Sequence, residues 1–236
     1  MTGIPAEIID RRLEALADEN AGVRKRTLAE LRSLGASTTG IVEALLSVMR
    51  RGEYYTSMQA ALALASFGQI AMPALIEALS FTSYGVAGHA ARAIGRVTDP
   101  AAVPDLMNLI GRELEPAVEA LGQIGKSAAP AVPLLIAVVE RRKEHDDREP
   151  YVLSGSPRSM AWEAAEALGR IGDVRAVTCL LDMLQDDNGR SRSTAAEALG
   201  RIGDRSASGA LVARLADQDD TVREKARDAL DLLGPE

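Results

Sequence analysis

Few residues in this chain are equipped for catalysis. It has two histidines, His89 and His145, and one cysteine, Cys179. Zinc held through nitrogen or sulfur needs such residues clustered, and they are scattered here. Cys179 lies on an apolar helix register that recurs at Ala210, so it reads as a buried structural thiol rather than a nucleophile. No phosphate-binding P-loop or GxSxG elbow occurs, and the GxxG of GRIG closes a helix instead of opening one. His89 alone keeps a catalytic option. It sits one turn into a helix beside Gly88, and Tyr54, Tyr84 and Glu119 in neighbouring units give it partners for acid–base work. A solvated or packing histidine, facing the polar stripe rather than the core, is the preferred reading. No cofactor and no metal are expected.

Recognition is better provided for. Residues 79–87 read LSFTSYGVA where the same slot reads LADENAGVR (16–24), LQDDNGRSR (184–192) and LADQDDTVR (215–223). Arg24, Arg192 and Arg223 share one column, and Asp18, Asp186 and Asp217 another. Asp caps helices and Arg bonds the carbonyls or carboxylates of an adjacent turn, so the columns read as a ladder between repeats rather than an anion site. Elsewhere the arginine column holds Ser57, Ala87, Leu114 and Ala161. Aromatics arrive in the same units: Tyr54, Tyr55, Phe81, Tyr84 and Trp162, with Tyr151 in an insertion. Tyr and Trp bury large area while keeping a polar handle, so a recognition patch is expected here, against the alternative that they plug gaps left by the ladder. Met58 extends the patch with an apolar group, and Glu115 and Glu119 add charge. The expected binding residues are therefore Tyr54, Tyr55, Met58, Tyr84, His89, Glu115, Glu119, Tyr151 and Trp162.

A repeat must position these groups. AAEALGRIGD occurs at 164–173 and again at 195–204, with weaker copies along the chain. The closing residues are Gly35, Gly68, Thr98, Gly125, Gly172, Gly203 and Gly234, separated by 33, 30, 27, 47, 31 and 31. Each unit reads as two helices. In the sixth, Asp173 caps a first helix with Val174, Val177, Leu180, Leu181 and Leu184 on its apolar face. The second helix runs from about Ser191 to Ile202, and Gly203 supplies the left-handed residue that ends it. Gly169 and Gly200 lie inside second helices, where glycine costs about 1 kcal/mol against Ala. Close approach of neighbouring helices is the expected return. The outer stripe of the second helices alternates acid and arginine rows, which reads as a solvated, mutually paired face. The 47-residue spacing accommodates KEHDDREPYVLSGSPR, 143–158, as a loop inserted within the fifth repeat.

The LxDxxxxVR-like turns followed by AAEALGRIGD-like helix ends resemble the short HEAT-like repeats of the phycobilisome-lyase type, over nearly all of the chain. The resemblance implies an all-α, right-handed α-solenoid of about seven antiparallel helix pairs. Residues 1–236 would form a single HEAT-like repeat domain, with second helices lining the concave side. HEAT-like hydroxylases hold two irons on several His-Glu pairs, and no such pair occurs here. HEAT-like DNA glycosylases need a basic, aromatic groove, and the second-helix face shows no Lys/Arg excess.

Composition narrows the rest. The net charge of −7 argues against a phosphate-binding surface and favours steering of a basic partner. No uninterrupted apolar window of about 18 residues exists, the N-terminus has acids where a signal peptide needs an apolar stretch, and one cysteine fits a reducing compartment. A cytoplasmic location is expected. The functional expectation is a non-catalytic scaffold that recognises a protein partner through its concave face and the aromatic edge of repeats 2–5. The alternative is a small-ligand protein or enzyme, bilin-lyase or isomerase-like, using the same patch. Neither nucleic acid nor membrane is an expected partner.

Overall fold

The structure, a computed structural model, describes residues 8, 11–18, 20–33, 37–51, 54–81, 84–110, 115–141 and 157–234. Fourteen α-helices and no strand occur among the described residues. In chain order they are α1 (Leu13–Ala17), α2 (Ala21–Ser33), α3 (Thr38–Arg50), α4 (Tyr54–Ala65), α5 (Met72–Leu79), α6 (Tyr84–Val97) and α7 (Val103–Ile110). They continue as α8 (Glu115–Ile124), α9 (Val132–Glu140), α10 (Pro157–Ile171), α11 (Val177–Met183), α12 (Gly189–Ile202), α13 (Ser208–Arg214) and α14 (Asp220–Leu233). Odd-numbered helices open a repeat and even-numbered helices close it, an all-α solenoid of helix pairs. The insertion 143–158 lies outside the described residues except for its last two, which begin α10.

The chain divides into two compact units, Met1–Asp105 and Leu106–Glu236. In the first, α1 packs on α2 and α4, α3 on α4 and α5, and α6 on α4 and α5. In the second, the closing helices stack in succession, α8 on α10, α10 on α12 and α12 on α14, with α9, α11 and α13 packed alongside. Alanine and leucine dominate what is buried: Ala195, Ala198 and Leu199 are nearly inaccessible, and so are Ala164, Ala167 and Leu168 one repeat earlier.

Repeat ends follow backbone chemistry. Gly68, Gly125, Gly172, Gly203 and Gly234 all have positive φ, between 57° and 79°. Thr98 holds the same closing position at φ 59°, the one non-glycine residue in that region among those described. After Thr98, Gly172 and Gly203 comes a 3₁₀ turn capped by an aspartate. Asp99, Asp173 and Asp204 accept hydrogen bonds from the backbone N–H of Ala101, Arg175 and Ser206 at 2.8–2.9 Å. The first helix proper starts only at Val177 in the sixth repeat, which leaves Val174 exposed on the turn rather than in the apolar face. Asn188 accepts from the N–H groups of Arg190 and Ser191, so α12 begins at Gly189, two residues before the sequence pattern suggests.

The Asp and Arg columns bond as a ladder. Arg192 is buried and donates to the carbonyl oxygens of Asp186 and Asp187, each at 2.9 Å. Its other guanidinium nitrogens reach Asp217 of the next repeat at 2.9 and 2.7 Å. Arg24 and Arg223 make the equivalent bonds within their own turns, to the carbonyls of Asp18 and Asp217 at 2.6 Å. The hydrogen bonds from Arg192 lead in holding the Asp217 carboxyl down at about 2. The run Glu115–Glu140 has the length and mean hydropathy, 1.3, of a membrane span. Gly125, at φ 69°, divides it into α8 and α9, and both pack on α10.

Three substitutions separate these effects. Gly203 has no atom within 4 Å of an added Cβ, so Gly203→Ala costs only backbone strain, about 1–2 kcal/mol. Gly200→Ala sets a Cβ 2.6 Å from the Ala229 Cα and loses about 1–3 kcal/mol to overpacking. Thr98→Gly relieves strain and raises stability by about 0.5–1 kcal/mol. Denaturant midpoints test all three. A depressed carboxyl stabilises the fold above its unfolded value and stops doing so as pH falls through its folded one. Asp217 therefore contributes about 2 kcal/mol at neutral pH, lost between about pH 4 and pH 2. The melting profile of Asp217→Asn should be lower at neutral pH and flatter across that window.

Candidate functional site

The expected site residues fall into two groups, one in each compact unit. In the first, Tyr54 and Tyr55 open α4 and are 59% and 74% exposed. Their rings meet edge to face at 5.5 Å between centroids. Tyr54 also meets the ring of His89 at 4.7 Å and 70°. A Cβ built on Gly85 would lie 3.6 Å from the same ring, so Tyr54 lies along the Gly85–His89 ridge of α6, one helical turn long. The missing arginine explains the close fit beneath. Ser57 and Ala87, in the arginine column, are completely buried, and the Ser57 hydroxyl donates to the Tyr54 carbonyl at 3.0 Å.

His89 does not face the solvent stripe. It is 5% exposed, and its Nε2 has no hydrogen-bond partner among the described residues. Burial first, then the nearby Arg92 charge, push its pKa below 6.5, so the imidazole stays neutral near neutral pH. Its contact with Tyr54 is ring against ring, which stiffens the tyrosine pair. Met58 is half-buried on α4. Phe81 lies under the Arg50 guanidinium, 5.7 Å from its ring centroid. Tyr84 begins α6, but its side chain lies outside what the structure describes, as does the whole of Tyr151.

The second group surrounds the start of α10. Trp162 is 8% exposed, its indole N–H donates to the Ser191 hydroxyl at 3.0 Å, and the Arg190 guanidinium covers its ring at 4.4 Å. It is a wedge between consecutive repeats rather than an exposed anchor. Glu115 accepts a hydrogen bond from the Ser159 hydroxyl at 2.7 Å, and Glu119 accepts one from the Gln123 amide at 2.9 Å. The sequence reading missed Glu163. Burial raises its pKa, and the charges of Glu166, Glu115 and Glu119 raise it further, against the opposing pull of Arg170. Among the described residues, no group of three or more His, Cys, Asp or Glu side chains is placed to hold a metal ion.

Because Trp162 is enclosed, Trp162→Ala should lower the free energy of unfolding by about 3 kcal/mol or more, while Trp162→Phe loses less. Urea titration followed by circular dichroism checks this.

The model of HEAT repeats matches residues 42–116 and 151–231, more than half of the chain. No curated protein matches the sequence. Among solved structures, the chain is similar to human deoxyhypusine hydroxylase in complex with glycerol, at 22% identity, covering 97% of this chain and 96% of that one with a TM-score of 0.36. It is also similar to the complex of CpcE and CpcF of phycocyanin lyase from Nostoc sp. PCC7120, at 21% identity, 99% and 96% coverage and a TM-score of 0.45. An engineered protein aligns at 20% identity over 98% of this chain and 71% of that one, TM-score 0.48. Likenesses this distant transfer no activity. With the family match, the glycine-closed helix pairs and the inter-repeat ladder together, the chain belongs to the HEAT-repeat proteins.

Proposed function

We propose that this protein is a non-catalytic binding scaffold that recognises a protein partner, and that the tyrosine pair opening α4 is its principal anchor. One observation carries this reading. Tyr54 and Tyr55 are the most exposed aromatic side chains among those described, yet each is already held in an edge-to-face contact. An aromatic group ordered before binding loses little entropy on contact, and this is what an interface hot spot requires. Met58 and Tyr84 are proposed to extend this surface, and Tyr151 with the inserted segment 143–158 to supply further binding residues, in what is proposed to be one HEAT-like domain. Net charge and the Glu115, Glu119 and Glu163 carboxylates favour a basic partner, whose approach relieves their mutual repulsion. The lone cysteine, buried with its Sγ donating to the Ala176 carbonyl at 3.1 Å, suits a reducing compartment such as the cytoplasm.

Capture from native lysate, quantified by mass spectrometry, tests the proposal. A specific protein retained by the wild type should be lost at least about tenfold with Tyr54→Ala and with Tyr55→Ala, while the exposed Val212→Ala leaves it in place. Melting temperatures of all three should stay close to wild type. Retention of the same partner by both tyrosine variants would remove the pair from the binding surface.

A further inference from the structure

On two of the closing helices an arginine pairs with an acid one turn before it. On α10, Arg170 pairs with Glu166 at 3.3 Å, and on α12 Glu197 pairs with Arg201 and with Lys225 of α14. Each arginine here has an acid one turn before it. The same two positions read Leu62 and Ser66 on α4, and Arg92 and Arg96 on α6. Arg96 therefore has a second cation where its acid partner belongs. Among the described residues it makes no hydrogen bond or ion pair.

Arg96 opens onto a cavity of about 460 Å³ within the first compact unit, lined also by Asp18, Arg24, Leu62, Ala65 and Ser66. The space exists because α1 packs on α4 and brings Asp18, just past its end, over the last turn of that helix. A cavity in the last two repeats makes an internal comparison. It encloses about 210 Å³ between Glu197, Arg201, Lys225, Asp228 and Leu232, and its cations meet acids across the walls. In the first cavity Arg96 has no such partner among the described residues. Arg24 is committed to the Asp18 carbonyl at 2.6 Å, and the Ser66 hydroxyl to the Ala63 carbonyl at 2.6 Å. The Arg96 guanidinium, with no acid partner among the described residues, stands beside Leu62 and Ala65.

We propose that this cavity binds a small amphipathic monocarboxylate. The planar Arg96 guanidinium receives the carboxylate in a bidentate pair, and the hydrocarbon body lies on Leu62 and Ala65. The volume lies within the roughly 300–1,000 Å³ of small-molecule sites. A phosphate dianion fits less well, because the Asp18 carboxylate repels it and Arg24 is already engaged. An apolar wall gives free inorganic anions nothing to gain. This site is independent of the protein-binding reading: Leu62 lies about two helical turns along α4 from Tyr54.

Calorimetric titration of the full chain with octanoate tests it, with octanol and inorganic phosphate as separate arms. Octanoate should saturate at one per chain, and neither of the others should match it. Arg96→Gln should weaken octanoate at least about tenfold with an unchanged melting temperature. Arg92→Glu should weaken it similarly with Arg96 still in place, because it restores the acid one turn earlier that neutralises the arginine on α10 and α12. Absence of saturable octanoate binding, or binding that survives both variants, overturns the proposal. Phosphate binding as tightly as octanoate overturns the monocarboxylate class, and octanol binding as tightly overturns the role of Arg96.

Discussion

The closing helices of the second compact unit approach one another backbone to backbone, glycine against alanine. A Cβ placed on Gly122, Gly169 or Gly200 would lie 2.9, 2.8 or 2.6 Å from the Cα of Ala167, Ala198 or Ala229, each on the next closing helix. Nothing but hydrogen fits there. The backbones of α8, α10, α12 and α14 are thereby held at a separation set by glycine against alanine, and longer-range contacts inherit that spacing. Arg192 reaches Asp217 across one repeat because the helices are this close, and Trp162 reaches the Ser191 hydroxyl for the same reason. Each helical glycine gives up about 1 kcal/mol of intrinsic propensity, which burial of the flanking alanines and leucines offsets.

Features governed by backbone geometry were readable in the sequence. A residue that must adopt positive φ is written as glycine at a fixed spacing, so even Thr98, which breaks the rule, was identified by its position. The Asp and Arg columns were legible because a repeated contact leaves the same letters in the same slots. What could not be read depended on a neighbouring element filling space. The pattern on α6 shows His89 one turn from Arg92 but not that Tyr54 lies over it. Trp162 appeared beside a turn with no hint of the hydroxyl 29 residues later that receives its N–H. Glu163 is perturbed partly by carboxylates on α8, a juxtaposition that exists only once the helices stack.

The loss of arginine from the middle repeats has a steric logic. That column is buried whether it holds Arg192 or Ser57, Ala87 and Ala161. A guanidinium there must satisfy its donors on the adjacent turn, as Arg192 does with four bonds. A small side chain makes no such demand and releases the turn from serving the ladder. Tyrosine can then occupy the outer surface of that turn, supported from beneath by a helix ridge instead of by ion pairs.

The ladder also bears on how such a chain changes length. Arg192 donates to Asp217 of the next repeat, while the partners of Arg223, in the same column, are the Asp217 carbonyl and Asp220 among the described residues. The segments 164–194 and 195–225 carry this aspartate and this arginine in the same two slots, Asp186 with Arg192 and Asp217 with Arg223. A tandem copy of 195–225 would set Arg223 before a second carboxylate in the Asp217 slot, repeating the contact that Arg192 makes with Asp217. Recombination can thereby add a unit with a contact the molecule already uses, and the letter-for-letter recurrence of AAEALGRIGD is the imprint such an event would leave.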